Sequence, residues 1–308
     1  MSIENLKISV VIPTYNRGSL IRRAVESALR QTRPAFEVIV VDDGSTDDTQ
    51  EQLAAFGNAI RYIRQTNAGA SRARNRGVEE ATTEWIAFLD SDDLWLETHL
   101  ERMAHAISAT DGKAGFYFAD MDQTDNEGGG HLWDFCGFQI DGDYVITEDA
   151  ADWAMMERQP MMLQTSVFRK SSYLAAGGLW DRLRTRHDTH LFLKLSVGRR
   201  ACAVAGCGAR QTSDENPGNR LMGASGPESL GFWQETIPLY QDILYQVPNL
   251  SQAHRRTLRS RLAMAHWRVS RILGKDRKVG HSLLEAVRCF IARPATFLSI
   301  LTNAAKAR

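Results

Sequence analysis

The chain has 308 residues, 43% hydrophobic and 24% charged, and its 37 Lys/Arg balance 37 Asp/Glu. This is the make-up of an ordinary soluble globular protein, long enough for one large domain or two smaller units. Four cysteines (Cys136, Cys202, Cys207, Cys289) without C-x-x-C spacing argue against a zinc site, a redox dithiol or a disulfide framework. The neutral total hides an asymmetry: residues 1–250 hold 24 Lys/Arg and 35 Asp/Glu, whereas residues 251–308 hold 13 Lys/Arg against Asp276 and Glu285. An acidic body with a basic tail predicts that the tail meets an anionic surface. No secretory leader and no apolar run of about 18 residues is legible, so the expected compartment is the cytoplasm.

Strand-like and helix-like segments alternate through the first 120 residues. Ile8–Ile12 reads as a strand, and Leu20, Ile21, Ala24, Val25, Ala28 and Leu29 then recur at helical spacing. Phe36–Val41 is the second strand, followed by a helix from Ser45 or Asp47 through Leu53 and Phe56. Ile60–Ile63 is the third, with a helix over Ala70–Ala81. Trp85–Leu89 is the fourth, ahead of a helix carrying Leu100, Met103, Ala104 and Ile107. Repeated strand–helix units with nearly continuous apolar strands predict an α/β fold with a mostly parallel sheet. Residues 120–160 read as a loop-rich insertion with short strands. Leu163–Arg169 reads as a strand, His187–Ser196 as a helix, and residues 211–230 as a mobile loop or lid. From Phe232 onward the pattern is helical, broken near Pro248, Gly274 and Pro294.

In open α/β sheets the ligand crevice lies at the carboxyl ends of the strands, and the polar clusters fall there. Strand one runs into Pro13-Thr14-Tyr15-Asn16-Arg17 and strand two into Asp42-Asp43-Gly44-Ser45. Strand three precedes Asn67-Ala68-Gly69, with Arg74 one turn into the next helix. Strand four empties into Asp90-Ser91-Asp92-Asp93. Positions two apart on a strand share a face, which would aim Asp90 and Asp92 the same way. Two adjacent carboxylates repel unless a cation separates them. Oxygen-only ligands suit Mg²⁺ or Mn²⁺, which complete their shell with phosphate oxygens and water.

Taken together, Val10-Val11-Ile12-Pro13-Thr14-Tyr15-Asn16, Val40-Val41-Asp42-Asp43-Gly44-Ser45, Asn67-Ala68-Gly69 with Ala73-Arg74-Asn75-Arg76-Gly77, and Phe88-Leu89-Asp90-Ser91-Asp92-Asp93 resemble the family-2 inverting glycosyltransferases of GT-A fold. The resemblance covers roughly residues 6–220. It implies a GT-A type, Rossmann-like domain over residues 1–230, with a donor-binding half at about 6–120 and an acceptor-side half at about 121–230. Residues 231–308 would form a helical basic extension. It implies a nucleotide-diphospho-sugar donor touched by Pro13, Thr14, Tyr15, Asn16, Arg17, Asp42, Asn67, Gly69, Arg74, Asp90 and Ser91. Tyr15 would stack on the base and Asp42 accept from a base N–H. Asp92 would ligate Mg²⁺ or Mn²⁺, with Asp90 at the metal or its water. Asp43 is expected to cap its loop or the next helix, Asp93 to cap a helix starting near Leu94, and Arg74 to reach the diphosphate or brace the acidic loop.

On the acceptor side the resemblance places the base at Asp188, which also suits the N-terminal end of a helix. The residue before that base is usually acidic and here is His187, so His187, with Trp180, is a candidate acceptor contact. The acceptor implied is a saccharide or lipid-linked glycan in cell-surface polysaccharide assembly. Arg255 through Lys278 alternate with Leu258, Leu262, Met264, Trp267, Val269, Ile272 and Leu273. That pattern fits a peripheral helix on anionic lipid at the inner membrane face, a helix packed on the acidic body, or an oligomer contact. Nucleic acid is not an expected partner. Rival readings are a non-catalytic nucleotide-sugar-binding scaffold and a nucleotidyltransferase. The segment after strand one lacks the glycine- and basic-rich phosphate loop usual for the latter, and no G-x-G-x-x-G supports an oxidoreductase.

Overall fold

The computed structural model describes residues 2–123, 129–212, 229–275 and 279–306. Its strands are β1 (Ile8–Thr14), β2 (Glu37–Asp42), β3 (Arg61–Arg64), β4 (Trp85–Phe88), β5 (Asp93–Trp95), β6 (Phe116–Asp122), β7 (Tyr144–Thr147), β8 (Ser166–Arg169) and β9 (Ala201–Gln211). The helices of the first half are α1 (Gly18–Leu29), α2 (Thr49–Ala54), α3 (Ala70–Glu80) and α4 (His99–Ala109). Next come α5 (Leu132–Cys136), α6 (Ala151–Ala154), α7 (Lys170–Ala175) and α8 (His187–Ser196). The last four are α9 (Leu230–Gln246), α10 (Gln252–Lys275), α11 (Val279–Ala292) and α12 (Pro294–Lys306).

The chain divides into two compact units. One comprises Met1–Arg182 with His187–Glu215, the other Leu183–Arg186 with Asn216–Arg308. The first is built on a single sheet in the order β3-β2-β1-β4-β8-β6-β9-β5, with β7 also on β9. Pairing is parallel through β3, β2, β1 and β4, antiparallel across β8, and parallel again from β6 to β9. Six of the nine described strands therefore run the same way, giving the expected α/β class with a mostly parallel sheet flanked by helices. Every residue of β1 is buried, as two-sided coverage requires. Ile21, Ala24, Val25 and Ala28 bury one face of α1 at helical spacing. Helix α3 lies so close to β1 that a Cβ on Gly77 would collide with the Val11 side chain.

Four expectations change. β6, β7 and β9 are strands that periodicity did not reveal. Asp93 opens β5 rather than capping a helix, and the helix begins six residues later at His99; Asp93 pairs with Gln211 of β9, so the backbone stays extended. The acidic run leaves the strand at Phe88, and Asp93 N donates to Asp90 O at 3.1 Å. A turn, not strand alternation, therefore gathers the carboxylates. The fourth change concerns α10, where Leu258, Leu262, Val269 and Leu273 are buried, so its apolar face is already used within the helical unit. The lid expected at residues 211–230 lies largely outside the described residues. No helix among the described residues is long and apolar enough to cross a membrane.

Candidate functional site

The loops after β1, β2 and β3 are hydrogen-bonded to one another, which fixes the strand ends as one surface. After β1, Asn16 adopts a left-handed φ of 52°, a conformation asparagine tolerates better than most residues. Asn16 N donates to Ser45 Oγ at 2.9 Å, and Thr46 N donates back to Asn16 Oδ1 at 2.8 Å. Gly18 N donates to Asp47 Oδ2 at 3.0 Å, and a Cβ on Gly18 would overlap the Asp48 carboxylate. Asp43 ties in the third loop: its carboxylate accepts from Gln65 Nε2, Ala68 N and Gly69 N at 2.7–2.9 Å. It thus holds the entry to α3, where Gly69 takes a φ of 94°. Pro13 and Thr14 are buried, whereas Tyr15 is 46% exposed and Asn67 is exposed.

Asp42 is held by partners within the chain. It is fully buried, and its two oxygens accept from Ser45 N at 2.8 Å and from the Tyr62 hydroxyl at 2.6 Å. Burial and this carboxylate push the Tyr62 phenol well above its ordinary range. No charge or spacing in the sequence marked Tyr62 for this position.

The acidic turn gathers the carboxylates. Carboxylate oxygens of Asp90, Asp92 and Asp93 lie within 4.8 Å of one another. Two positively charged side chains reach them: Arg17 Nη2 is 3.4 Å from Asp92 Oδ2, and the buried Arg74 pairs with Asp90 through Nη2. Gln164, which the sequence reading also missed, donates from Nε2 to Asp90 Oδ2 at 2.7 Å and to Asp93 Oδ2 at 2.9 Å. Burial, then the neighbouring Asp90 and Asp92, hold the Asp93 carboxyl well above the usual carboxylate range. Such crowding of hard oxygen donors fits a divalent cation. Asp90 and Asp92 are half-buried and Ser91 is buried, so the first two present the accessible oxygens.

Arg74 connects this turn to the first turn of α8. Burial opposes its charge, but Asp90 most of all, and also Asp188, raise its pKa above the ordinary arginine value. Its Nη1 lies 3.3 Å from His187 Nε2. A guanidinium can only donate, so His187 Nε2 is the acceptor and carries no proton. His187 is buried and braces Arg74. Asp188, half-buried, follows it at the start of α8. Trp180 stacks on His190 of the same helix, ring centroids 4.9 Å apart. The Gly177-Gly178-Leu179 turn before Trp180 is held by Asn75: Nδ2 donates to Leu179 O at 2.8 Å, and Oδ1 accepts from Leu179 N at 3.0 Å. Two helical positions on α3, Arg74 and Asn75, thus orient both the acidic turn and the acceptor-side segment.

Residues 9–130, which hold the three linked loops, the acidic turn and Arg74, match the family model described as glycosyl transferase family 2. This part of the chain is similar to that family. It is 35% identical over 196 residues to glycosyltransferase GlyG of Streptococcus pneumoniae, covering 60% of this chain and 65% of GlyG. It is 44% identical over 101 residues to an uncharacterized glycosyltransferase of Rickettsia felis, covering 32% of this chain but 17% of that protein. The chain therefore spans only about a sixth of the latter relative's length. Among solved structures, S. aureus TarS 1–349 in complex with UDP-GlcNAc superposes with a TM-score of 0.67 at 20% identity, over 95% of this chain and 83% of that one. The mannosyltransferase PcManGT of Pyrobaculum calidifontis, in complex with GDP-Man and Mn²⁺, gives 0.57 at 17% identity, over 98% and 80%. These two likenesses establish a shared GT-A-like fold.

Proposed function

We propose that this protein is a metal-dependent inverting glycosyltransferase that moves a sugar from a nucleotide-diphospho-sugar to a hydroxyl of a saccharide or lipid-linked glycan. The observation that carries this reading is the buried Arg74, which joins the carboxylate turn and the first turn of α8 in one network. The nucleotide-sugars bound to TarS and PcManGT support a donor of that class. A role in cell-surface polysaccharide assembly at the cytoplasmic face of a membrane accords with such a donor and acceptor.

In this reading the exposed Tyr15 offers a stacking face for the base, and Asn67 and Gly69 lie along the same rim. Asp92 and Asp90 would hold Mg²⁺ or Mn²⁺, which when bound neutralises charge on the leaving diphosphate. Arg17 and Arg74 add fixed positive charge beside those oxygens. Transfer is a single in-line displacement: the acceptor oxygen forms a bond to the anomeric carbon as the bond to the diphosphate oxygen breaks. Asp188 takes the proton from the acceptor hydroxyl. His187, held as an acceptor for Arg74, keeps the guanidinium aimed at Asp90 while Asp188 faces the reaction.

Two variants test the parts separately. Asp92→Ala should abolish Mn²⁺-dependent thermal stabilisation by the matching nucleotide-sugar. Asp188→Asn should retain that stabilisation and lose transfer by about 10²–10⁴-fold, the range for a general base. Near-normal transfer by Asp188→Asn removes it as the base. Donor binding by the wild type with neither hydrolysis nor transfer to any candidate acceptor would favour the scaffold reading instead.

A further inference from the structure

Helix α11 is packed inside out. The side it turns to α10 carries Ser282, Glu285 and Cys289; Glu285 and Cys289 are buried, and Ser282 is half-buried. Ser282 Oγ donates to Ser270 O at 2.9 Å, and the Glu285 carboxylate meets His266 Nδ1 at 2.5 Å. Those contacts fix the rotation of the helix. At 100° per residue, the opposite side brings Phe290, Leu283, Val287, Ile291 and Leu284 into one stripe about 120° wide. All five are exposed, from 46% at Phe290 to 72% at Ile291, and Leu298 of α12 adds another exposed apolar side chain at 57%. A helix that buries its polar side and exposes its apolar side is covered by something else in its working state.

The charges say what covers it. Glu285 is the only acidic residue among the described residues of α10, α11 and α12, and it is buried and paired with His266 and Arg288. Arg288 borders the stripe on α11 and is exposed, as are Arg256, Arg259, Arg268, Arg271 and Lys275 on α10. An apolar stripe bordered by Arg288, on a bundle whose other exposed charges on α10 are basic, is complementary to an anionic bilayer surface: the side chains enter the acyl boundary and the cations meet lipid phosphates. A second copy of the chain would instead bring like charges together across the contact.

We propose that the exposed face of α11, continued by Leu298 of α12, is a peripheral docking surface for anionic lipid. This places the contact on α11 and α12 and not on the basic helix α10, whose apolar side is consumed within the unit. The assignment is independent of the reaction proposed for the sheet unit.

The test is sedimentation of the full chain with vesicles of phosphatidylcholine alone and of phosphatidylcholine mixed with phosphatidylglycerol. Wild-type protein should partition to the phosphatidylglycerol vesicles, more weakly as salt is raised, and little to phosphatidylcholine alone. Leu284→Glu with Ile291→Glu should weaken that partition by more than about tenfold while the melting temperature stays within a few degrees of wild type. Ile291→Ser, a milder change, should show an intermediate loss and serves if the double variant is unstable. Wild type that stays in the supernatant with phosphatidylglycerol vesicles, or variants that bind them as wild type does, would overturn the proposal. So would a wild-type dimer that ignores vesicles and becomes monomeric in the variants, because the face would then be a contact between copies.

Discussion

The two units use buried polar pairs for opposite purposes. In the sheet unit, Arg74 meets Asp90 and His187 at the strand ends, and those pairs support groups that are half-open to solvent. In the helical unit, His266 meets Glu285 between α10 and α11, and that pair spends the polar side of a helix on internal cohesion. The first arrangement concentrates polar chemistry at a surface, whereas the second drives apolar side chains onto one. Burial of charge therefore does not by itself mark a site. What marks it is which neighbours remain accessible once the buried pair is made.

That contrast can be broken by removing one partner from each pair. Arg74→Ala leaves Asp90 without its closest cation, and breaking a buried pair typically costs about 3–5 kcal/mol. Urea unfolding should show a loss in that range, together with lost donor stabilisation. Unchanged stability would mean that Arg74 does not hold the strand ends together. Arg74→Lys keeps the charge but cannot serve Asp90 and His187 at once, so it should recover stability more than donor affinity.

Glu285→Ala should cost less, about 1–3 kcal/mol for a buried group left without its partner, and should leave donor binding intact. Glu285→Gln, which still offers an acceptor to His266, should lie between the two. If Glu285→Ala impaired donor binding as strongly as Arg74→Ala, the division of labour between the units would fail.

A further effect concerns a buried histidine in neither pair. His99 is fully buried against the Trp95 ring, and neither ring nitrogen finds a hydrogen-bond partner among the described residues. Burial, aided by Arg102, pushes its pKa down to about 3 from an ordinary 6.5. The unfolded chain binds a proton below about pH 6.5 that the folded chain refuses until about pH 3. Stability should accordingly fall as pH drops through that window, approaching about 1.4 kcal/mol per pH unit from this group. Denaturant midpoints at pH 7, 6 and 5 should show a shallower decline in His99→Phe than in wild type. Equal slopes would contradict the burial of an uncharged ring.

The first four strands and the polar runs at their ends were legible because their signals are local: apolar strands, then short polar runs with Asp, Asn and Gly. The sheet's second half was opaque for a physical reason. β9, Ala201–Gln211, is rich in alanine, glycine and cysteine, with Val204 its single β-branched residue. Those small residues are needed where Arg102 approaches Gly206 and His99 approaches Gly208, since a Cβ at either would clash. Gln164 and Tyr62 were missed because a neutral side chain carries no charge signal, and their partners lie far away in sequence. Periodicity identified α10 and α11 as helices but could not say which side of α11 faces inward. That was decided by the contacts of Ser282 and Glu285 with α10.

The sheet order also dictates a timetable for synthesis. β4 ends at Phe88 and takes its place beside β1, yet its other neighbour, β8, begins only at Ser166. During that interval the emerging chain carries β4 with a bare backbone edge and the Phe88 side chain uncovered by Phe168 or Tyr173. Unpaired edges of this kind invite pairing with other chains. The strand that delivers the acidic turn thus stays open until β8 follows, and a chain halted before residue 166 keeps that edge bare.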